Sequence, residues 1–251
     1  MSGHSKWATT KHKKAAIDAK RGKLFARLVK NIEVAARNGG GDPDANPTLR
    51  TMFQKARDAS VPLDTIERAV KRGTGELEGV TYEEVTYEGY APNGVAVFVE
   101  ALTDNRNRTG PEMRSTFSKL GGSIAEPGAV AWQFERKGVI HVGRSVEEDD
   151  VMMVALDAGA EDIRDDTEYW TVTTEATDTA AVRHALEEAG LPVESSDLTM
   201  LPSSTVRLED VSAVKAVLRL VEAIDDHDDV QDVYSNIDIP DEVLDALSDD
   251  A

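Results

Sequence analysis

Val139-Ile140-His141-Val142 is a short apolar run that reads as a β-strand, and the sixty residues after it decide the fold class. Glu147–Ala158 carries a helical apolar period. Asp162–Arg164 and Tyr169-Trp170-Thr171-Val172-Thr173-Thr174 read as strands, Thr179–Ala189 as a second helix, and Leu198–Leu201 as a last strand. The order βαββαβ is that of the ferredoxin-like split unit. Arg136-Lys137-Gly138 and Pro202-Ser203-Ser204 are turn-like at its two ends. Residues 135–205 are therefore expected to form a self-contained domain, and an acidic one, with 17 acidic residues against 5 basic.

The flanking segments read as one domain that this unit interrupts. On the N-terminal side, Thr81–Tyr90 and Val95–Leu102 are strands joined by the turn Ala91-Pro92-Asn93-Gly94. Pro111–Leu120 reads as a helix with Thr109 as candidate N-cap and Gly121-Gly122 as its stop, and Ala129–Phe134 as a further strand. On the C-terminal side, Val211–Ile224 is a helix and Val230–Tyr234 a strand. Together these predict a discontinuous middle α/β domain of residues 79–134 and 206–240. The acidic tail 241–251 has the pattern of a short helix through Val243, Leu244 and Leu247.

Upstream the pattern is wholly helical. Leu24, Phe25, Leu28, Ile32, Ala35 and Ala36 share one helical face, with Lys23, Arg27, Lys30 and Arg37 opposite and Gly39-Gly40-Gly41 as terminator. Asn46-Pro47 reads as N-cap and first residue of a second helix. After Val61-Pro62, Asp64 is a candidate cap for a third helix carrying Ile66, Ala69 and Val70, with Arg68, Lys71 and Arg72 outward. The predicted fold is α+β: an N-terminal basic helical domain, residues 1–78, followed by two ferredoxin-like α/β domains, one inserted in the other.

Charge divides the chain as sharply as periodicity does. The 251 residues carry 28 Lys+Arg and 47 Asp+Glu, a formal net charge of -19. The first 72 residues hold 16 basic and 7 acidic residues, which leaves 12 basic and 40 acidic for the remainder. Such a split points to a basic binding module on an acidic body that repels polyanions elsewhere. The basic end begins with Ser5-Lys6-Trp7-Ala8-Thr9-Thr10-Lys11-His12-Lys13-Lys14, a stretch without an acid. Lysines there displace counterions from phosphate, and Trp7 offers a face for a base. The plainer alternative is a solvated terminus.

Other chemistries find little support. The chain has no cysteine, hence no disulfide, thiol nucleophile or Cys-ligated zinc. The histidines His4, His12, His141, His184 and His227 lack metal-site spacing, and no phosphate loop or nucleophile elbow occurs. The acid run Asp225-Asp226-His227-Asp228-Asp229 lacks the calcium-loop pattern and reads as a solvated helix end. No cofactor, metal or catalytic residue is expected. No apolar run approaches a membrane span and no secretory signal follows the basic start, so a cytoplasmic protein without a membrane partner is expected.

Several segments also resemble a known family. Ser2-Gly3-His4-Ser5-Lys6-Trp7 followed by Lys11-His12-Lys13-Lys14 is similar to the opening signature of the YebC/PmpR family. Thr65-Ile66-Glu67-Arg68-Ala69 with Gly73-Thr74-Gly75, Tyr87-Glu88-Gly89-Tyr90 and Asp104-Asn105-Arg106-Asn107-Arg108-Thr109 resemble it too, and more loosely Val230-Gln231-Asp232-Val233-Tyr234. The resemblance implies the same three-domain layout and a transcriptional regulator that binds DNA. It also admits a ribosome-bound translation factor, since relatives include the mitochondrial translational activator of cytochrome c oxidase and bacterial proteins linked to relief of stalling at proline runs. The arm and the lack of a base-reading helix suit ribosomal RNA as well as DNA.

The candidate nucleic-acid-binding residues follow. They are Lys6, Trp7, Lys11, His12, Lys13 and Lys14 of the arm, Lys23, Arg27 and Lys30 of the first helix, and Arg106 and Arg108. The last two sit where a strand gives way to a helix, whose free N–H groups suit a phosphate. Ordinary caps with arginines paired to surface acids would produce the same sequence. A protein–protein adaptor that uses sheet edges is the alternative from another class.

Overall fold

The structure is a computed structural model that describes residues 19–166 and 168–249. Its contacts divide the described chain into two compact units, residues 19–129 with 209–235, and residues 130–208 with 236–249.

The first unit begins with three helices, α1 (Ala19–Gly39), α2 (Pro47–Asp58) and α3 (Leu63–Gly73). Leu28, Ile32, Ala35 and Ala36 of α1 meet Leu49 and Ala56 of α2, Val61, and Ile66 and Ala69 of α3 in one core. The predicted apolar face of α1 is thus the packed one, except that Leu24 is 46% exposed. Asn46 caps α2 as its position predicts: its Oδ1 accepts from Leu49 N at 3.1 Å. The same buried side chain donates to Ala35 O and Gly40 O and so ties the cap to the end of α1. Gly73 lets α3 approach α1, since a Cβ there would lie 2.4 Å from Glu33 O. Asp64 does not cap α3. Pro62 is the N-cap and its carbonyl receives the first helical N–H groups, which leaves Asp64 one position inside, paired with Arg68.

The same unit contains a four-stranded antiparallel sheet in the order β3-β1-β2-β9. Its strands are β1 (Glu83–Tyr90), β2 (Ala96–Thr103), β3 (Ser123–Ile124) and β9 (Val230–Ser235), and helices α4 (Arg106–Lys119) and α7 (Val211–Asp225) belong to it. The late segment therefore does join the sheet begun near residue 81: β9 pairs with β2, Phe98 opposite Tyr234 and Glu100 opposite Asp232. The β1–β2 hairpin turns through Pro92–Gly94, with Asn93 and Gly94 at φ 65 and 75. Met113 and Phe117 of α4 and Val214, Val217, Leu220, Val221 and Ile224 of α7 are buried. Gly89 and Gly122 are bare because α4, α7 and the sheet close on them: a Cβ would stand 2.6 Å from Phe117 and from Leu220 respectively.

Helix α4 starts five residues before the predicted Pro111. Asn105, not Thr109, is its N-cap, with Oδ1 accepting from Arg108 N at 3.2 Å. Proline at 111 lies inside this helix, where it removes one backbone donor and its ring crowds the carbonyl four residues earlier. Thr109 is wholly buried within the helix.

The second unit has strands β4 (Phe134–Gly143), β5 (Ala160–Asp166), β6 (Tyr169–Glu175) and β7 (Val193–Pro202), with helices α5 (Glu148–Asp157) and α6 (Thr179–Glu188). The sheet order β5-β6-β4-β7 is the ferredoxin-like winding. Ile140, Val142, Trp170 and Val172 meet Val151, Ala155, Val182 and Leu186 in a core of its own. Strand β8 (Val206–Arg207) pairs in parallel with β10 (Ile237–Asp238), and α8 (Asp241–Asp249) follows.

Two local expectations are overturned here. Ala129–Phe134 is not a strand; Ala131–Gln133 forms a 3-10 turn and β4 begins at Phe134. Arg136-Lys137-Gly138 is not a turn but the middle of β4. Lys137 lies 2.9 and 2.5 Å from Glu161 and Glu175 on other strands of the sheet, cross-strand pairs that favour extended backbone, and 3.7 Å from Glu135 on its own strand. Gly138 serves close approach: a Cβ would fall 1.9 Å from Thr179 Oγ1.

Candidate nucleic-acid interface

The sequence nominates three groups of cations, and each has a different standing in the structure. Lys6, Trp7, Lys11, His12, Lys13 and Lys14 lie outside the described residues. Lys23, Arg27 and Lys30 fall on one stripe of α1, as the period requires. That stripe faces the end of α7 and the loop to β9.

Lys23 Nζ lies 3.3 Å from Asp226 Oδ1. Arg27 Nη2 donates to Asp225 O at 2.5 Å and to its Oδ1 at 3.3 Å. Lys30 Nζ donates to Asp228 O at 2.9 Å and to Asp229 Oδ1 at 3.1 Å, and lies 5.4 Å from the Tyr82 ring centroid. The physical reason lies in α7. A helix C-terminus presents unpaired carbonyls and negative dipole, and here acids follow at once. Cations opposite that end stabilise both the carbonyls and the acids. The run Asp225–Asp229 is therefore only in part a solvated helix end: Asp226 and Asp228 are exposed, while Asp225 and buried Asp229 are turned to α1. It is the seat of α1.

Asp229 is the centre of this seat. Its side chain is 3% exposed. Arg108 Nη2 donates to its Oδ2 at 2.6 Å, and Thr109 Oγ1 at 2.8 Å. Thr103 Oγ1 lies 3.2 Å from the same oxygen and 2.7 Å from Thr109 Oγ1. Burial alone would raise the carboxyl's pKa. Hydrogen bonds from Arg108, Thr109 and Lys30, with the charge of Lys30, outweigh it and hold the pKa down at about 2. The Asp229 N–H donates to His227 Nδ1 at 3.1 Å, so the neutral ring carries its proton on Nε2, 2.9 Å from Glu112 Oε2. One carboxylate thus joins α1, α4, β2 and β9.

Arg108 is accordingly a structural cation, bonded to Asp104 at 2.9 Å as well as to Asp229. Arg106 points elsewhere: it is 62% exposed and 3.6 Å from Glu83. The structure brings Lys30 and Arg108 together on Asp229 and leaves Arg106 apart. Arg72, read as outward, donates instead to buried Glu33 at 2.9 Å. Sequence reasoning missed Asp229, Thr103 and Thr109 as one cluster. The available signal was the facing spacing of Lys23, Arg27 and Lys30 against an acid run of matching length. Among the described residues no group of three or more His, Asp or Glu could hold a metal ion, and no helix is long and apolar enough to cross a membrane.

Comparison with known proteins agrees with this layout. Residues 5–76 match the model for the TACO1/YebC protein N-terminal domain, and residues 82–237 that for the TACO1/YebC second and third domain. The chain belongs to the TACO1/YebC family. Relatives in this family include a "probable transcriptional regulatory protein" of Thermobifida fusca, 58% identical over 99% of this chain and all of the relative. One of the same description from Halothermothrix orenii is 52% identical over the whole of both chains. A solved structure, that of the conserved hypothetical protein Aq1575 from Aquifex aeolicus, is 47% identical with a TM-score of 0.83, covering 96% of this chain and 99% of that one. The relatives' descriptions suit a regulatory role, and the α+β fold is shared with the Aquifex aeolicus structure.

Proposed function

We propose that this member of the family is a non-enzymatic, nucleic-acid-binding regulator of gene expression, acting in the cytoplasm, whose contact with phosphate is made by the arm of residues 5–14. The observation that carries the reading is the separation of charge. The arm and helical bundle are strongly basic on a body with 12 basic and 40 acidic residues. The inward use of Lys23, Arg27, Lys30 and Arg108 sharpens it. Those cations are committed to carboxylates and carbonyls within the protein, so in this reading phosphate contacts come from Lys6, Lys11, Lys13 and Lys14, with exposed Arg106 as a peripheral contact. The relatives' description as probable transcriptional regulators favours DNA as the target.

A salt titration tests this. Each lysine–phosphate contact contributes roughly 0.7–0.9 to the slope of log affinity against log salt. Replacing Lys6, Lys11, Lys13 and Lys14 by alanine should make the slope shallower by about 3, equally for all sequences, because phosphate contacts carry no base information. Trp7→Ala should cost roughly 1–3 kcal/mol with little change in slope if a base stacks on it. Unchanged affinity and slope in the four-lysine variant, on duplex DNA and on ribosomes alike, would refute the reading. Loss confined to ribosomes would move the target from DNA to ribosomal RNA.

A further inference from the structure

The turn from α2 to α3 fixes an open groove in the helical bundle. After Asp58 the chain passes through Ser60 at φ 64, one of two non-glycine residues with positive φ among the described residues. The N–H of Val61 then returns to Ala56 O at 2.8 Å, the closing bond of a Schellman turn. Pro62 starts α3 at once, and Leu63 becomes its first residue. Beside this turn lies a groove of about 530 Å³ lined by Phe53, Arg57, Val61, Leu63 and Glu67, within the roughly 300–1,000 Å³ of small-ligand pockets. Its floor is apolar. Val61 is buried, Phe53 is half-buried against the bundle core, and Leu63 is 55% exposed. Single exposed leucines are ordinary. This one stands beside an aromatic ring and two charged side chains. Among the described residues, the side chains of Arg57 and Glu67 have no hydrogen-bond or ion-pair partner. Lys71, four residues after Glu67 on the same helical face, is exposed and unpaired with it. A cation in the last turn of α2 suits the helix dipole. A carboxylate in the middle of α3, lining the same groove without a partner, has no such use within the fold.

These groups select their ligand. A strongly acidic segment is repelled by Glu67, and a strongly basic one by Arg57. A nucleotide carries the matching features together: a flat face, an amine N–H and a phosphate. Bases stack on aromatic side chains, a carboxylate accepts from cytosine N4, and a guanidinium pairs with phosphate. The bundle that holds the groove also belongs to the basic part of the chain, with 16 basic and 7 acidic residues in the first 72. We propose that the groove between Phe53 and Leu63 binds one unstacked base of a nucleic acid, prefers bases with an exocyclic amine through Glu67, and sets the adjoining phosphate on Arg57. This rests on the function proposed above and deepens it. Lysine–phosphate contacts carry no sequence information, and the groove adds a preference to them. A base has to leave its stack to enter, so single strands and opened ends are the favoured targets.

Two measurements on the full chain test this. In methyl spectra, deoxycytidine monophosphate should shift Leu63 and Val61 ahead of Leu77, an exposed leucine of the same unit outside the groove. No selective shift at Leu63 overturns the base site. A shift given by a leucine-containing acidic peptide but not by the nucleotide also overturns it and assigns the groove to a protein. In binding assays at neutral pH, short single strands of deoxycytidine should bind about three- to ten-fold more tightly than thymidine strands of equal length, the scale of one net hydrogen bond. Glu67→Ala removes the acceptor from an exposed helical position and should bring that ratio close to one. Leu63→Asn should weaken both strands more than Leu77→Asn does. Replacing the four arm lysines should weaken both strands alike and keep the ratio. Equal binding of the two strands by wild type, or a preference that survives Glu67→Ala, overturns the inference and leaves the proposed function standing. Selective methyl shifts with no binding of either strand would leave the groove as a nucleotide site and overturn the nucleic-acid function instead.

Discussion

Asp229→Asn is the most informative single substitution that the structure offers. Asparagine keeps the shape of the side chain and one acceptor oxygen but removes the charge that faces Lys30 and Arg108. The carboxyl's pKa falls from 3.8 to about 2 on folding, which corresponds to about 2.5 kcal/mol of preferential stabilisation of the charged form. Asp229→Ala, which also strands two cations and two threonine hydroxyls around a cavity, should cost about 3–5 kcal/mol. Because the folded value lies below the unfolded one, the contribution is complete above about pH 4 and disappears as pH falls toward 2. The assay must report on the right unit. Trp132 and Trp170 lie in the other unit, so emission from them is a poor reporter, and amide exchange across α1 and α4 or helical circular dichroism in urea is needed. The expected result is a loss of about 2–3 kcal/mol at pH 7 in Asp229→Asn, with the gap to wild type closing between pH 4 and 2. Equal protection of α1 in the two proteins at pH 7, or a gap that persists at pH 2, would refute the assignment of Asp229 as the charged seat of α1.

Other outcomes follow from backbone geometry and domain structure. Gly121 sits at φ +79 after α4, and an added Cβ would meet only Pro92 Cγ at an ordinary contact distance of 3.5 Å, so Gly121→Ala should cost about 1 kcal/mol through backbone strain, measured by urea denaturation. Gly122→Ala should cost more, roughly 1–3 kcal/mol, since its Cβ would meet Leu220 and Tyr90 O at 2.6 and 2.7 Å. Gly138→Ala should destabilise the inserted unit while leaving exchange in α1–α3 unchanged, because the new methyl overlaps Thr179 and Thr174. A fragment of residues 135–205 should fold alone, as its core draws only on residues 140–193, and should not bind nucleic acid; an unfolded spectrum or tight binding would contradict this.

The architecture was largely legible because periodicity and turn chemistry agree along most of the chain. The βαββαβ order at 139–201 reads correctly because each element is amphipathic and short, and Asn46-Pro47 reads correctly because cap and first-turn proline are local signals. Two of the errors have a shared cause: Thr109 and Arg136-Lys137-Gly138 look like boundary residues, and each is used for a long-range contact instead, whereas Asp64 yields the cap to Pro62 and pairs with Arg68 one turn on. Thr109 serves Asp229, 120 residues away, and Gly138 makes room for Thr179. Local propensity sees a hydroxyl or a glycine and cannot see the partner. The candidate site was legible only as charge. Which of its cations meet acids of the same chain depends on how α7 ends, and that is a tertiary fact.

That tertiary fact changes how the net charge should be read. The four acids of residues 225–229 are part of the count that makes the body look repulsive to polyanions, yet Lys23, Arg27 and Lys30 pair with three of them, Asp226, Asp225 and Asp229. The basic stripe of α1 and the acid run are therefore one structural device, and both should be subtracted before charge is used to argue binding. What remains on the basic side is the four lysines of residues 5–14, Arg106, and exposed cations of α2 and α3 such as Arg50, Arg57 and Lys71. A stripe of this kind cannot serve two masters: phosphate could reach Lys30 only after its bonds to Asp228 O and the buried Asp229 carboxylate were broken, which would loosen α1 itself. Under the proposed function, contact through the lysines of residues 5–14 calls for none of these bonds to be broken.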